Sequence, residues 1–420
     1  NLDRLAREGI RLTDCYASAP ICSPSRAGLL TGRTPSRAGV YTWIDAGSPM
    51  HLRREEVTIA KVLQRAGYDT CHSGKWHLAG VFNKPEQPQP GEHGFNHWFS
   101  TFNNAGPTHE NPVNFFRNGR KVGPQTGFSC QLVVDEAIGW LKDHRNPDKP
   151  FFLYTCFHET HEKVASPANL ISKYSSVAKK KGEDLYFANV TNMDQAVGRL
   201  LATLDELKLS EDTLVWFMSD HGPEITNLYP EAWRSHGSAG PFRGKKRSLH
   251  EGGIRVPGII RWKGHIASGQ TIGTPVSSVD LFPTCCELAH VPLPADRPMD
   301  GTSIAPLLSG RSLPRTQPLF WHFYAGSEHK PFALRDGDWK LVARSEDEST
   351  NAIGDKLQVD SVPRMKRARL TGFELYNLAD DVGEQHDVAA REPERLKALS
   401  AEAEKIYGDV LKEAPDWRFD

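Results

Sequence analysis

Four stretches of this 420-residue chain carry side chains suited to holding an anion and moving a proton. Cys22-Ser23-Pro24-Ser25-Arg26 sets a thiol one helical turn before a fixed cation; Lys75 with His77, His158 with His161, and Asp220 with His221 follow along the chain. Cations offset the charge of an anionic substrate, histidines carry protons, and a thiol is a nucleophile. Taken singly, each has an ordinary explanation, since a free cysteine is among the most buried residue types and a lone histidine is commonly a polar loop residue. Their positions argue otherwise.

Residues 22–32 read as a short helix, with Pro24 in its first turn, Leu29 and Leu30 as its apolar stripe and Gly32 as its stop. Cys22 thereby sits at the helix N-terminus, where unpaired N–H groups and the helix dipole favour an anion and lower a thiol pKa. Ahead of it come an amphipathic helix over 1–6, capped by Asn1, and a strand over 10–16. A helix over 58–66, closed by Gly67, leads into a strand over 68–73 that delivers Gly74-Lys75-Trp76-His77-Leu78. A helix over 132–141 precedes the apolar strand 151–157, which runs directly into His158 and His161. A long helix over 185–207 precedes strand 213–218, which ends in Ser219-Asp220-His221-Gly222.

This alternation predicts an α/β fold: a large, mostly parallel central sheet with helices on both faces. In such sheets ligands sit at the carboxyl ends of the strands. Three successive strands end in the pairs named above, so coincidence is a poor account of them. Residues 240–253 are rich in glycine and basic side chains and lie just before a buried strand over 256–262; they read as a solvated face or as an anion-binding loop. A further helix is expected over 280–289. The polar excursion 83–125 is long enough to be functional.

Composition turns to Pro, Arg and Ser over 310–318, which places a boundary there: a catalytic domain over 1–312 and a small C-terminal α+β subdomain over 313–420. The latter should hold a hairpin (332–335 and 339–342, turning at Asp336-Gly337), a strand over 373–378 and a closing helix over 393–411. Arg364, Lys366, Arg367 and Arg369 read as a solvated polar loop. Net charge is -1, which argues against a nucleic-acid or membrane partner recruited by bulk charge. No apolar run reaches the roughly 18 residues of a membrane span, and no signal peptide is visible. The seven cysteines show no Cys-x-x-Cys pair and no metal-ligand spacing.

Cys22 to Arg33, with Cys-x-Pro-Ser-Arg followed by Thr31-Gly32-Arg33, resembles the hallmark of the sulfatase family. The likeness extends to Gly67-Tyr68-Asp69-Thr70 with Gly74-Lys75-Trp76-His77-Leu78, to Ser219-Asp220-His221-Gly222, and to Lys246 ahead of Glu251-Gly252-Gly253. Arg335 to Lys340 with Glu374 to Leu378 is similar to the family's C-terminal subdomain. The loop with His97-Trp98-Phe99, Asn103 and Asn104 resembles a substrate-facing loop of carbohydrate sulfatases, of the N-acetylgalactosamine-6-sulfatase and bacterial polysaccharide type, with arylsulfatase A also close in appearance.

The resemblance implies an alkaline-phosphatase-like fold and hydrolysis of sulfate monoesters, from a glycosaminoglycan or another sulfated saccharide. It implies that Cys22 is oxidised to formylglycine, whose hydrate is held by Arg26 and forms a sulfo-enzyme intermediate. Lys75 and Lys246 would offset the sulfate charge, with Lys245 as the alternative to Lys246. His161 would protonate the leaving oxygen, and His77 would take the proton that releases sulfate. Asn103 and Asn104 would contact substrate, and His158 would be a neighbour. Asp220 and His221 would hold calcium, with magnesium or manganese as alternatives.

In the family a strand and a pair of metal-binding aspartates precede a helix like residues 1–6. Neither is in this chain, so the expectation is an N-terminally shortened chain that binds metal weakly and is inactive alone. A formylglycine-generating maturation enzyme is an implied transient partner, and export to periplasm, cell surface or lysosome is the implied destination. The alternatives are a broad arylsulfatase, a phosphonate or phosphate diester hydrolase of the same superfamily, and a non-catalytic glycan-binding protein.

Overall fold

The computed structural model describes residues 1–225, 232–313, 315–324, 330–347 and 357–417. Pro314, inside the stretch read as the domain boundary, lies outside them.

Strand Phe151–Cys156 shows how the layers arise. Successive strand residues point to opposite faces. Phe151 and Leu153 pack with Leu5, Trp140, Val197 and Leu201 on one side, whereas Phe152 and Tyr154 join the clusters on the other. Val215–Met218 repeats the pattern, with Val215 and Phe217 towards the first face and Met218 towards the second. Helices Leu2–Arg7, Ser129–Gly139 and Glu183–Glu206 therefore cover one face, and Cys22–Thr31, Ile59–Arg65 and Leu281–Leu288 the other. Helices on both faces are as expected.

The strands fall into two main sheets. In the five-stranded one, Asp69–Lys75 lies between His97–Thr101 and Phe151–Cys156 and runs parallel to both, while the hairpin Phe116–Arg117 and Arg120–Lys121 extends the far edge antiparallel. In the four-stranded one, Ile10–Leu12 pairs parallel with Gln270–Ile272 and antiparallel with Gly258–Arg261, which pairs antiparallel with Val215–Met218. Among the described residues Phe151–Cys156 and Val215–Met218 are thus terminal strands of their sheets, and both are half-buried along nearly their whole length.

Several expected bounds shift. Residues 10–16 divide into Ile10–Leu12 and Cys15–Tyr16, the latter paired with Val276–Ser277. Thr58 is the cap of Ile59–Arg65 rather than its first residue, its hydroxyl accepting from Lys61 N. The polar excursion contains a sheet strand, His97–Thr101, in which Trp98 to Thr101 are buried.

The C-terminal part is a separate antiparallel sheet in the order Leu319–His322, Phe332–Asp336, Trp339–Ser345, Leu370–Asn377. Asp336 pairs with Trp339, so the hairpin turns at Gly337-Asp338, one residue later than expected. Helix Pro393–Glu413 packs Leu399, Ala403 and Tyr407 against this sheet, in an apolar cluster that also takes in Cys22, Leu29 and Leu30. Lys366, Arg367 and Arg369 are exposed, as expected of a solvated cluster, but most of the Arg364 to Arg369 stretch is not a loop. Ser361–Arg367 is a helix that buries Val362 and Met365, three apart and so on one face, with its basic residues turned outward.

Candidate active site

Cys22 opens helix Cys22–Thr31 after Ile21, whose backbone is extended (φ -154°, ψ 156°). Gly32 ends the helix at φ 66°, a conformation that favours glycine. All ten helical residues are buried, so the N-terminus of the helix is a fixed wall. Gly74 is equally constrained: it sits at φ 110°, and a Cβ there would lie 1.8 Å from the Cys156 carbonyl oxygen. Only glycine lets the strand carry Lys75 past its neighbour at that separation.

Arg26 ties the strand ends together, donating to Lys75 O at 2.8 Å and to Asp220 Oδ2 at 2.9 Å. His221 Nδ1 donates to Gly222 O at 2.8 Å, which leaves Nε2 as the basic nitrogen, 3.4 Å from Cys22 Sγ. His77 is fixed in the opposite tautomer. Its Nε2 donates to Ile44 O at 2.9 Å, and its buried Nδ1 is left basic with the Cys22 side chain as a polar neighbour. Lys75 Nζ donates to Asn104 Oδ1 at 3.0 Å, and Asn104 Nδ2 reaches His161 Nδ1 at 2.8 Å. Lys246 Nζ lies 3.4 Å from His161 Nε2. Its loop is held to the Asp220 loop by Lys246 N donating to Pro223 O and Gly222 N to Gly253 O, both at 2.9 Å.

The charge balance here is lopsided. Lys75 and Lys246 are both 3% exposed and form no ion pair among the described residues. Burial opposes ionisation of the Cys22 thiol, yet Lys75, Lys246 and His221 outweigh it and hold the thiol well below its usual range. Burial, then Lys75, brings His77 down to about 4 and His161 down to about 3. Burial also pushes Lys75 down. For Asp220 burial acts upward, but His221 and Arg26 overcome it and hold the carboxyl at about 2.

Of the residues read from sequence, Cys22, Arg26, Lys75, His77, Asn104, His161, Asp220, His221 and Lys246 converge on this one place. Asn103 does not join the hydrogen-bonded cluster: its backbone oxygen accepts from Thr101 Oγ1, and its side-chain oxygen is buried without a hydrogen-bond partner. His158 is buried against Phe115 and bonds Thr101 Oγ1 at 2.8 Å. Three participants escaped the sequence reading. Arg234 lies 3.5 Å from His161 Nε2 and is paired with Glu162. Glu162 itself sits 2.6 Å from His161 Nδ1; the third is the Ile44 carbonyl. Only Glu162 carried a signal, being next to His161 in the chain.

Cys22, Asp220 and His221 place ligand atoms within 4.8 Å of one another. Calcium prefers six or more oxygen ligands and magnesium near-octahedral oxygen coordination. Here there is one carboxylate, with one oxygen already engaged by Arg26, plus an imidazole and a sulfur. These residues alone do not make a cage for either ion.

A family model described as Sulfatase matches residues 1–291, and one described as N-sulphoglucosamine sulphohydrolase, C-terminal, matches residues 240–362. Human arylsulfatase A is 34% identical over 95% of this chain and 81% of its own length. The N-acetylgalactosamine-6-sulfatase of Rattus norvegicus is 34% identical over 77% of this chain and 63% of its own length. The solved structure of Ps i-CgsB in complex with k-i-k-neocarrahexaose superposes with a TM-score of 0.81 at 24% identity, covering 100% of this chain and 89% of that one.

Proposed function

Because the chain belongs to the sulfatase family and is a sulfuric ester hydrolase, we propose that it removes sulfate from a sulfated carbohydrate at the cluster around Cys22. The observation that carries this reading is the pair of buried lysines, Lys75 and Lys246, with no carboxylate partner among the described residues. A buried ammonium without a counter-charge is costly, and a sulfate ester supplies the missing anion. The reading of the substrate as a sugar draws on the amide-rich loop at Asn104 and on relatives named for sugar sulfates.

In this reading Cys22 is converted to formylglycine by a maturation enzyme met before folding, which supplies a geminal diol able to attack sulfur and later to shed sulfate. The chain's own groups do the rest. Arg26 holds the nucleophile's neighbourhood rigid between two strand ends. Lys75 and Lys246 seat the sulfate. Asn104 Oδ1 holds Lys75, and Asn104 Nδ2 donates to His161 Nδ1 while that ring is neutral. His161 is neutral in the empty site, but a bound sulfate offsets the lysine charge that depresses it, and Glu162 at 2.6 Å favours its protonated form. It then protonates the leaving sugar oxygen. His77, with Nδ1 basic and facing Cys22, accepts the proton that accompanies sulfate release. Asp220 and His221 are the residues that would contact a metal, and no step above is routed through one. The catalytic unit is taken as 1–312, with 313–420 as a supporting subdomain, and export is the proposed destination.

The test is free-sulfate release, by chain co-expressed with a formylglycine-generating enzyme, from a panel of sulfated saccharides and an aryl sulfate. Release from a saccharide, abolished in Cys22→Ala with the fold intact by circular dichroism, is the expected result. Aryl-only release overturns the carbohydrate substrate, and undiminished release by Cys22→Ala overturns the assigned nucleophile.

A further inference from the structure

Next to the reacting residues lies a cleft of about 630 Å³ to which none of the charged groups above contributes. Its volume suits a small organic ligand. One wall is aromatic, made by Phe82, Phe102 and Phe116, with Phe82 and Phe116 in edge contact at 5.2 Å between centroids. Glycine backbone lines the cleft as well. Gly47 N donates to Gly80 O at 3.0 Å, and a Cβ on Gly47 would meet nothing within 4 Å. At the rim stand Lys84 and Glu86, both exposed, whose side chains make no hydrogen bond or ion pair among the described residues.

Both walls are anchored to groups of the reaction site. Ile44, two residues before Ala46, accepts from His77 Nε2 at 2.9 Å and donates its N–H to Ser23 Oγ, beside Cys22, at 3.0 Å. Phe102 stands edge-on to the His77 ring at 6.0 Å. Asn114 of the same cleft donates to Asn104 O at 2.8 Å, and Asn104 holds Lys75. These contacts set the cleft wall against His77 and one residue away from Lys75.

We propose that the cleft is a binding subsite for the sugar ring linked to the one bearing the scissile sulfate, so that the enzyme acts on an oligosaccharide rather than a free monosaccharide sulfate. The inference rests on the carbohydrate reading above. A pyranose presents an apolar C–H face and a polar hydroxyl edge. The phenyl wall and the flat Gly47–Gly80 backbone fit the face, while Lys84 and Glu86 fit hydroxyls or a charged substituent at the edge. A steroid ring system would match the phenyl wall and leave the charged rim without a role.

The test compares one sulfated sugar as the monosaccharide and within an oligosaccharide, together with a simple aryl sulfate and a steroid sulfate. Wild type is set beside Phe116→Ala, which removes part of the aromatic wall, and Ala46→Trp, which fills the cleft. Expected is a wild-type preference for the oligosaccharide of about tenfold or more in kcat/KM, lost in both variants through KM, with aryl sulfate turnover unchanged. A smaller loss, about threefold, is expected for Lys84→Ala. The subsite is overturned if monosaccharide and oligosaccharide are turned over alike, if the oligosaccharide is unaffected by either variant, or if both variants lower aryl sulfate turnover equally. Turnover of aryl or steroid sulfate with no saccharide accepted overturns the carbohydrate reading itself, and the subsite with it.

Discussion

Two sets of buried lysines in this molecule have opposite surroundings. Lys340, in the C-terminal sheet, is fully enclosed between Glu251 Oε1 at 2.8 Å and Glu384 Oε1 at 3.0 Å. Around that pair Glu384 Oε2 accepts from Glu251 N at 2.6 Å, His250 Nδ1 lies 2.9 Å from Glu384 Oε1, Tyr16 donates to Glu251 at 2.6 Å, and Arg335 pairs with Asp14 at 2.7 Å. Lys75 and Lys246 are buried almost as completely but contact an amide and an imidazole. Desolvating an ammonium is unfavourable wherever it happens. In the first region carboxylates of the same chain offset it, and the result is a joint: helix Glu251–Ile254, which follows the Lys246 loop, is clamped to the C-terminal sheet. In the second no carboxylate meets the ammonium groups among the described residues, and on the proposed function the substrate sulfate does so. On that reading the same side chain at similar burial is structural or functional according to whether its counter-ion belongs to the chain.

Exchanging the two roles by mutation tests this contrast. Lys340→Met removes the cation shared by two buried carboxylates and should destabilise by about 3–5 kcal/mol, read from denaturant midpoints; adding Glu384→Gln should recover part of the loss. A surface-like loss below about 1 kcal/mol would erase the distinction. Lys75→Met should do the reverse, lowering sulfate release by about 100- to 1000-fold while the thermal midpoint holds or rises. A fall in that midpoint would show Lys75 to be structural after all.

The smallest effect separates the regions by pH. Burial acts upward on the Glu384 carboxyl, but Lys340 and His250 hold it well below the usual carboxylate range. A depressed carboxyl contributes stability that is present above its unfolded pKa of about 4.3 and lost as pH falls below it. Wild type should therefore lose stability more steeply than Glu384→Gln between about pH 4.3 and pH 3, followed by chemical denaturation. Parallel curves would mean that the clamp does not depend on the ionised carboxylate.

How much of this was legible in the sequence follows from which signals are local. The Cys22 helix announced itself because Pro24 and Gly32 are punctuation whose meaning needs no tertiary context. The strand-end pairs were legible because the apolar run Phe151 to Phe157 stops at His158, and Val215 to Met218 stops just before Asp220. Strand His97–Thr101 was hidden by its composition, since His97, Ser100 and Thr101 are polar and sit among Gly, Pro and Asn; pairing with Asp69–Lys75, remote in sequence, decides its state. Arg234 reaches His161 across 73 positions, and the Ile44 carbonyl is a group every residue owns. The pairing of Lys340 with Glu384 joins separate segments and leaves no local signal in the sequence.

Gly74 carries a consequence for the variation this protein tolerates. With φ at 110° and the Cys156 carbonyl oxygen 1.8 Å from where a Cβ would stand, any side chain there pushes the strand that carries Lys75 away from its neighbour Phe151–Cys156. A substitution at this position leaves every reacting group in the sequence and still reaches the site, by moving its scaffold.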